Sequence, residues 1–225
     1  MTEQGDQSQK PINRIQQNLL AASERRLLNW LCHRLPPWAT PDLLTAMGML
    51  GALIVFAGYW LSTLGSGWLW LAIAGLAVQW FGDSLDGSVA RFRQIERPSF
   101  GYFIDHSCDG LATLLIMAGI GLSPFVRLDA ALICLVGYLL LSIHAFLLAR
   151  VAGELPLSHL GAGPTELRLV LVAVTVAMMT LGPNPGGLAP FSAFDLLFGG
   201  VGVVLILLFV VQTLRTARML AGRES

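Results

Sequence analysis

The sequence is poor in charged residues. Only 12% of its 225 residues are charged, while 55% are hydrophobic; a soluble domain typically has about a quarter charged residues. This composition excludes a disordered polyelectrolyte and an ordinary soluble domain. Lys and Arg total 14, as do Asp and Glu, so the chain lacks the positive excess typical of nucleic-acid-binding proteins. We therefore predict a membrane protein that binds no nucleic acid.

Cysteine is also scarce. The three cysteines, Cys32, Cys108 and Cys134, show no CxxC spacing, which argues against a disulfide framework or a cysteine-based zinc site. The first 20 residues are polar where a secretory signal would have its apolar region. We therefore expect three buried thiols and no cleaved signal.

Long apolar runs dominate the rest of the chain. A helix needs about 20 residues to cross roughly 30 Å of hydrocarbon. Six runs fit this length, at residues 43–61, 68–92, 102–122, 130–149, 167–181 and 194–214. The pattern predicts an all-α polytopic membrane protein. It divides into an N-terminal segment (1–40), a six-helix transmembrane catalytic domain (41–218) and a tail (219–225).

The basic residues test the number of spans. With six spans, every Lys and Arg except Arg127 falls on one side of the membrane. Because basic residues accumulate on the cytoplasmic side, we predict that both termini are cytoplasmic. The loop between the second and third spans would face the cytoplasm as well.

Residues 12–34 have apolar side chains at helical spacing, with Arg and Glu between them. This pattern predicts an amphipathic juxtamembrane helix at the membrane surface. Pro36, Pro37 and Pro41 would end it before the first span.

Four aspartates lie close together in the segment 81–110. Asp83 and Asp86 are three residues apart, and Asp105 and Asp109 are four apart, so each pair shares one helix face. An ionised Asp inside a membrane helix costs about 2.5 to 3.5 kcal/mol. Four carboxylates facing each other would form a site for Mg²⁺, Mn²⁺ or Ca²⁺.

A simpler interpretation is a solvated loop in which these acids pair with Arg91, Arg93 and Arg97. It does not explain acids one and two turns inside the helices, nor the small residues Gly87 and Ala90 among them. Small residues would let a bulky ligand approach the helix backbones.

The pattern Asp83-x2-Asp86-Gly87-x2-Ala90-Arg91-x9-Gly101-x3-Asp105-x3-Asp109 resembles the signature of the CDP-alcohol phosphotransferase family. The resemblance implies cleavage of a CDP-alcohol, transfer of its phosphoalcohol to an acceptor hydroxyl and release of CMP. It further implies a homodimer in membrane lipid and an active site on the cytoplasmic side. The four aspartates would hold two Mg²⁺ or Mn²⁺ ions, and the CDP site would comprise Asp83, Gly87, Ala90, Arg91 and Gly101.

Two further segments resemble the choline/ethanolamine phosphotransferase branch: DHSCD at 105–109 and GPTE at 163–166. In that branch a His and a Glu at these positions are implicated in activating a lipid hydroxyl, which here implies His106 and Glu166. The alternatives are that His106 only forms a hydrogen bond near the metals and that Glu166 caps a helix. If instead CDP-diacylglycerol is the donor and a small alcohol the acceptor, Asp109 becomes the candidate base.

Three questions stay open at this stage. A small transporter would also place acids in the membrane, although such acids usually occur in two related halves and only one cluster is found here; an inactive family member is a further alternative. Asp42 stands where the family often has Asn, and either contacts the nucleotide or caps a helix. His144 either faces a substrate pocket or forms a hydrogen bond between helices.

Overall fold

The computed structural model describes residues 13–15, 21–152, 154–156 and 163–224. Seven α-helices lie in these ranges: α1 (Ala21–Arg34), α2 (Pro41–Leu61), α3 (Leu69–Phe92), α4 (Pro98–Gly121), α5 (Leu128–Ala152), α6 (Pro164–Leu181) and α7 (Ala193–Glu224). Two short strand pairs accompany them: β1 (Asn13–Ile15) is parallel to β2 (Glu154–Pro156), and β3 (Gly187–Leu188) is antiparallel to β4 (Phe191–Ser192). The predicted all-α class is confirmed.

Five helices, α2 and α4 to α7, are long and apolar enough to cross a membrane. Helix α3 has 24 residues, which is sufficient length, but Gln79, Asp83 and Asp86 make it less apolar. The membrane assignment is therefore confirmed, while the count of six spans stays a prediction.

Proline marks the beginning of three helices. Pro41, Pro98 and Pro164 each occupy the first helical turn, where the missing N–H does no harm. The N-cap of α2 is Thr40, whose Oγ1 accepts the N–H of Leu43 at 3.3 Å. The alternative in which Asp42 is the cap is therefore wrong: Asp42 lies in the first turn and forms an ion pair with Arg97.

The predicted N-terminal helix is shorter than expected. Residues 13–15 form a strand whose backbone pairs with residues 154–156, so these groups are not available for helical hydrogen bonds. Residues 16–20 lie outside the described residues. Helix α1 buries Cys32 against the ends of α2 and α3, and Arg93 donates to the carbonyl oxygens of residues 35, 36, 37 and 39 at 2.8 to 3.3 Å.

Helices α2 and α3 approach so closely that their backbones touch. A Cβ on Gly82 would lie 2.3 Å from the backbone nitrogen of Gly48, and one on Gly51 would lie 2.4 Å from that of Gln79. Small residues permit such contact between membrane helices. This packing brings Asp83 and Asp86 on α3 level with the first turns of α2.

Candidate functional site

Three of the four predicted aspartates converge. Asp83 of α3 and Asp105 and Asp109 of α4 each offer a carboxylate oxygen, and these oxygens lie within 4.8 Å of one another. Helices α3 and α4 both pack against α2, which leaves the carboxylates facing a shared pocket. Because Asp105 and Asp109 are four residues apart, both face it from one side of α4.

Asp86 has a different environment. It lines the same pocket, but its Oδ2 accepts a hydrogen bond from Thr45 Oγ1 at 2.7 Å and its Oδ1 accepts the N–H of Gly87 at 2.5 Å. The structure therefore holds this fourth carboxylate beside the group of three. Thr45, which the sequence pattern did not single out, fixes its orientation.

Arg168 was also missed as a site residue, since it counted only as one of the cytoplasmic charges. Its Nη2 forms an ion pair with Asp83 Oδ2, and its Nε donates to Gln79 Oε1 at 2.5 Å. Its side chain is 13% exposed. An arginine within an apolar helical run normally has an acidic partner. The sequence position of Arg168 therefore indicated such a partner but did not identify it.

The small residues of the motif lie nearer the α3–α4 loop than the aspartate group does. A Cβ on Gly87 would lie 3.3 Å from Arg91 Nη1, whereas one on Gly101 would meet nothing within 4 Å. Arg91 also donates to Ser88 Oγ at 3.4 Å, and Ala90 is half-buried. Arg91 and Gly87 therefore share one stripe of α3, and there is open space beside Gly101.

His106 lies in an aromatic setting next to the aspartates. Its ring stacks on Phe146 with centroids 4.8 Å apart and meets the edge of Tyr102 at 4.3 Å. Its Nδ1 is 3.7 Å from Asp105 Oδ2. These contacts place the imidazole between α4 and α5, beside Asp105, but His106 is not among the described residues that line the aspartate pocket.

Glu166 forms a hydrogen bond within its own helix terminus, and His144 forms one between two helices. Glu166 Oε2 accepts the N–H of Gly163 at 3.0 Å and so caps α6. His144 is buried, with Nδ1 3.3 Å from Thr213 Oγ1 between α5 and α7. That Glu166 orients His106 stays a prediction. For His144, the structure shows the hydrogen bond between helices.

The donor set fits a hard divalent cation. All three groups that approach within 4.8 Å are carboxylates, and carboxylate oxygens are the ligands that Mg²⁺ and Mn²⁺ prefer. Cys108 lies on the pocket wall but does not belong to that group among the described residues. Asp83, Asp105 and Asp109, with Asp86 beside them, could therefore hold such an ion.

Comparison with known proteins agrees with this chemistry. A family model described as CDP-alcohol phosphatidyltransferase matches residues 38–215. Cholinephosphotransferase 1 of Danio rerio is 29% identical over 122 residues, which cover 48% of this chain and 32% of that protein. The archaetidylinositol phosphate synthase of Methanothermobacter thermautotrophicus is 35% identical over 132 residues, 58% of this chain and 63% of the other. The matched region is thus about a third of the length of the cholinephosphotransferases.

Proposed function

The chain belongs to the CDP-alcohol phosphatidyltransferase family, and from that premise we propose that it is a membrane-embedded phosphotransferase of phospholipid biosynthesis. An acceptor hydroxyl attacks the phosphorus that carries the alcohol. The bond from this phosphorus to the bridging oxygen of the pyrophosphate breaks, CMP leaves and the hydroxyl proton passes to a base. The family description names a transferase, so membership in this family does not favour the transporter hypothesis.

The observation that carries the proposal is the convergence of Asp83, Asp105 and Asp109 within 4.8 Å. Three ionised carboxylates at this spacing repel one another, and cations between them would relieve that repulsion. Bound divalent ions, two by resemblance, would neutralise the pyrophosphate and the departing CMP. Asp86, held by Thr45, would complete the set of four ligands.

We assign the CDP moiety to the stripe that leads from the loop toward the aspartates. There is open space beside the backbone of Gly101, and the absence of a side chain at Gly87 leaves room for the guanidinium of Arg91. The guanidinium of Arg91, which lies over Gly87, would bind a phosphate oxygen. Asp83 and Ala90 border the same stripe.

His106 is the proposed general base. Its Nδ1 is 3.7 Å from Asp105 Oδ2, so the ring lies beside the proposed metal ligands, and histidine is the side chain that most often acts as a general base. Glu166 would support it from the start of α6, in addition to capping that helix. Asp109 is the alternative base if the acceptor is a water-soluble alcohol.

For the substrates, we propose a CDP-alcohol donor and a lipid hydroxyl as acceptor. The likeness to cholinephosphotransferases and the DHSCD and GPTE segments favour this direction. The likeness to archaetidylinositol phosphate synthases favours the second candidate, in which a CDP-linked lipid donates its phosphatidyl-type group to a small polar alcohol. A cytoplasmic active site and a homodimer remain predictions in either case.

CMP release by purified protein tests the proposal. The donors are CDP-choline, CDP-ethanolamine and CDP-diacylglycerol, each offered with diacylglycerol or with inositol phosphate, in the presence of Mg²⁺, Mn²⁺ or EDTA. We expect metal-dependent CMP release with a CDP-alcohol and diacylglycerol. Release only from CDP-diacylglycerol would select the second candidate, and release that persists in EDTA would contradict the metal-dependent mechanism.

A further inference from the structure

One arginine contacts the aspartate cluster from a third helix. Arg168 lies near the start of α6, whereas the aspartates come from α3 and α4. Its Nη2 binds Asp83 Oδ2 and its Nε donates to Gln79 Oε1 at 2.5 Å. A guanidinium is planar and rigid, so these two contacts together fix its orientation.

Gln79 makes this arrangement specific. Gln79 is 4% exposed, and a buried amide oxygen without a donor would be unfavourable. Gln79 therefore positions Arg168 on Asp83, whereas a surface arginine would be free to change partners.

Asp83 is at the same time one of the three carboxylates that could hold a cation. While no cation is bound, a positive charge on this group relieves the repulsion within the cluster. When a divalent ion binds, the guanidinium and the ion are like charges that contact one carboxylate, and they repel each other. The same side chain should thus stabilise the metal-free protein and weaken metal binding.

We infer that Arg168 is an internal counter-ion of the aspartate cluster, which neutralises Asp83 in the metal-free protein and competes with a divalent cation for that carboxylate. The inference rests on the proposed function in one respect, namely that the cluster binds metal. Arg168 thereby adds a residue on α6 to the proposed metal site. Its charge would stabilise the metal-free protein and at the same time lower the affinity for the metal.

The test measures Mn²⁺ binding and thermal stability in purified protein, without any substrate. Free Mn²⁺ is followed by its EPR signal, and the melting temperature is recorded in EDTA and in saturating Mn²⁺. The variants are Arg168→Gln, which removes the charge, and Arg168→Lys, which keeps it. Arg127→Gln is the matched control, because Arg127 pairs with Asp129 at 2.7 Å at the far end of α4.

We expect Arg168→Gln to bind Mn²⁺ at least about tenfold more tightly than the wild type, because a unit charge close to a divalent ion has been removed. Its melting temperature should fall in EDTA and return to that of the wild type in saturating Mn²⁺. Arg168→Lys should bind Mn²⁺ with an affinity close to the wild-type value. For Arg127→Gln, any fall in melting temperature should be the same in EDTA and in Mn²⁺, and the affinity for Mn²⁺ should equal that of the wild type.

Equal or weaker Mn²⁺ binding by Arg168→Gln would overturn the inference while leaving the proposed function intact. So would an Arg168→Gln protein that is unfolded even in saturating Mn²⁺, since the metal should replace the lost charge. If the wild type itself binds no Mn²⁺, both the inference and the metal-dependent function fail.

Discussion

The two ends of helix α4 both lie beside aspartates, but the protein treats these aspartates in opposite ways. Near the beginning of α4, Asp105 and Asp109 face Asp83, with carboxylate oxygens within 4.8 Å of one another. Beyond its other end, Asp195 and Asp129 are surrounded by hydrogen-bond donors instead.

Asp195 shows how the second end works. It is only 6% exposed, yet it accepts the N–H of Arg127 at 2.7 Å and that of Ser192 at 2.8 Å. Its own N–H donates to Ser192 Oγ at 3.1 Å, so the pair closes the first turn of α7. Asp129 accepts hydrogen bonds from two nitrogens of the Arg127 guanidinium, at 3.0 and 2.7 Å. This hydrogen bonding raises the pKa of Arg127 above its usual value.

The difference separates structural carboxylates from binding ones. At the Asp195 end, N–H groups of the protein donate hydrogen bonds to each carboxylate. These carboxylates join a loop to a helix. At the Asp83 end, acids face acids, and Arg168 supplies one positive charge to three carboxylates. Ionised carboxylates so close together repel one another and are stabilised by additional cations or by protonation. This lack of protein donors is why we assign function to this end.

The largest expected effect comes from removing a carboxylate at the Asp83 end. Asp105→Asn should lower the rate of CMP release by more than the roughly 10²-fold typical of losing an outer-shell partner of a metal, because a proposed ligand itself is lost. The protein should still fold and insert into the membrane. CMP release is measured at saturating Mn²⁺, and near-normal turnover would show that the cluster is not the active site.

The second largest effect is expected for His106→Ala. Loss of a general base should lower kcat by about 10²-fold or more and change the KM for the CDP-alcohol much less. Glu166→Gln should have a smaller effect in the same direction. His144→Ala is the matched control, since His144 contacts Thr213 between α5 and α7 and should affect stability alone. An unchanged kcat for His106→Ala would leave Asp109 as the candidate base.

A smaller effect should follow from loosening one carboxylate without removing it. Thr45→Val deletes the hydroxyl that binds Asp86 at 2.7 Å and nearly keeps the side-chain shape. We expect turnover about tenfold lower and weaker Mn²⁺ binding by EPR, with a small change in melting temperature. Thr180→Val is the control, because within the described residues the Thr180 hydroxyl bonds only to carbonyl oxygens of its own helix, at 3.1 and 3.2 Å. Equal activity of both variants would mean that Asp86 is not a ligand.

The smallest effect on activity is expected at the Asp195 end. Asp195→Asn replaces one of the two accepting oxygens with an NH2 group, so one of the two N–H groups loses its acceptor, and a buried unsatisfied N–H costs about 1 to 3 kcal/mol. Its melting temperature should fall equally with and without Mn²⁺, while CMP release at low temperature stays near the wild-type rate. Loss of Mn²⁺ binding in this variant would break the distinction between the two ends.

Local features of the sequence determined much of the fold. The apolar runs predict helices and membrane insertion, the prolines at positions 41, 98 and 164 mark where three helices begin, and the spacing of the aspartates places each pair on one helix face. These properties depend on composition and on periods of a few residues. A single sequence therefore shows them directly, and the family motif adds the chemistry.

The partners across helices were decided only by the tertiary structure. Thr45 meets Asp86 across 41 residues of sequence, and Arg168 meets Asp83 across 85. Asp42, which by its position could cap α2, pairs instead with Arg97. Which residues meet depends on how far one helix slides and rotates against another. For α2 and α3, close backbone contacts such as those of Gly82 with Gly48 and of Gly51 with Gln79 accompany this alignment. No local period encodes that alignment, because it results from packing two whole surfaces together.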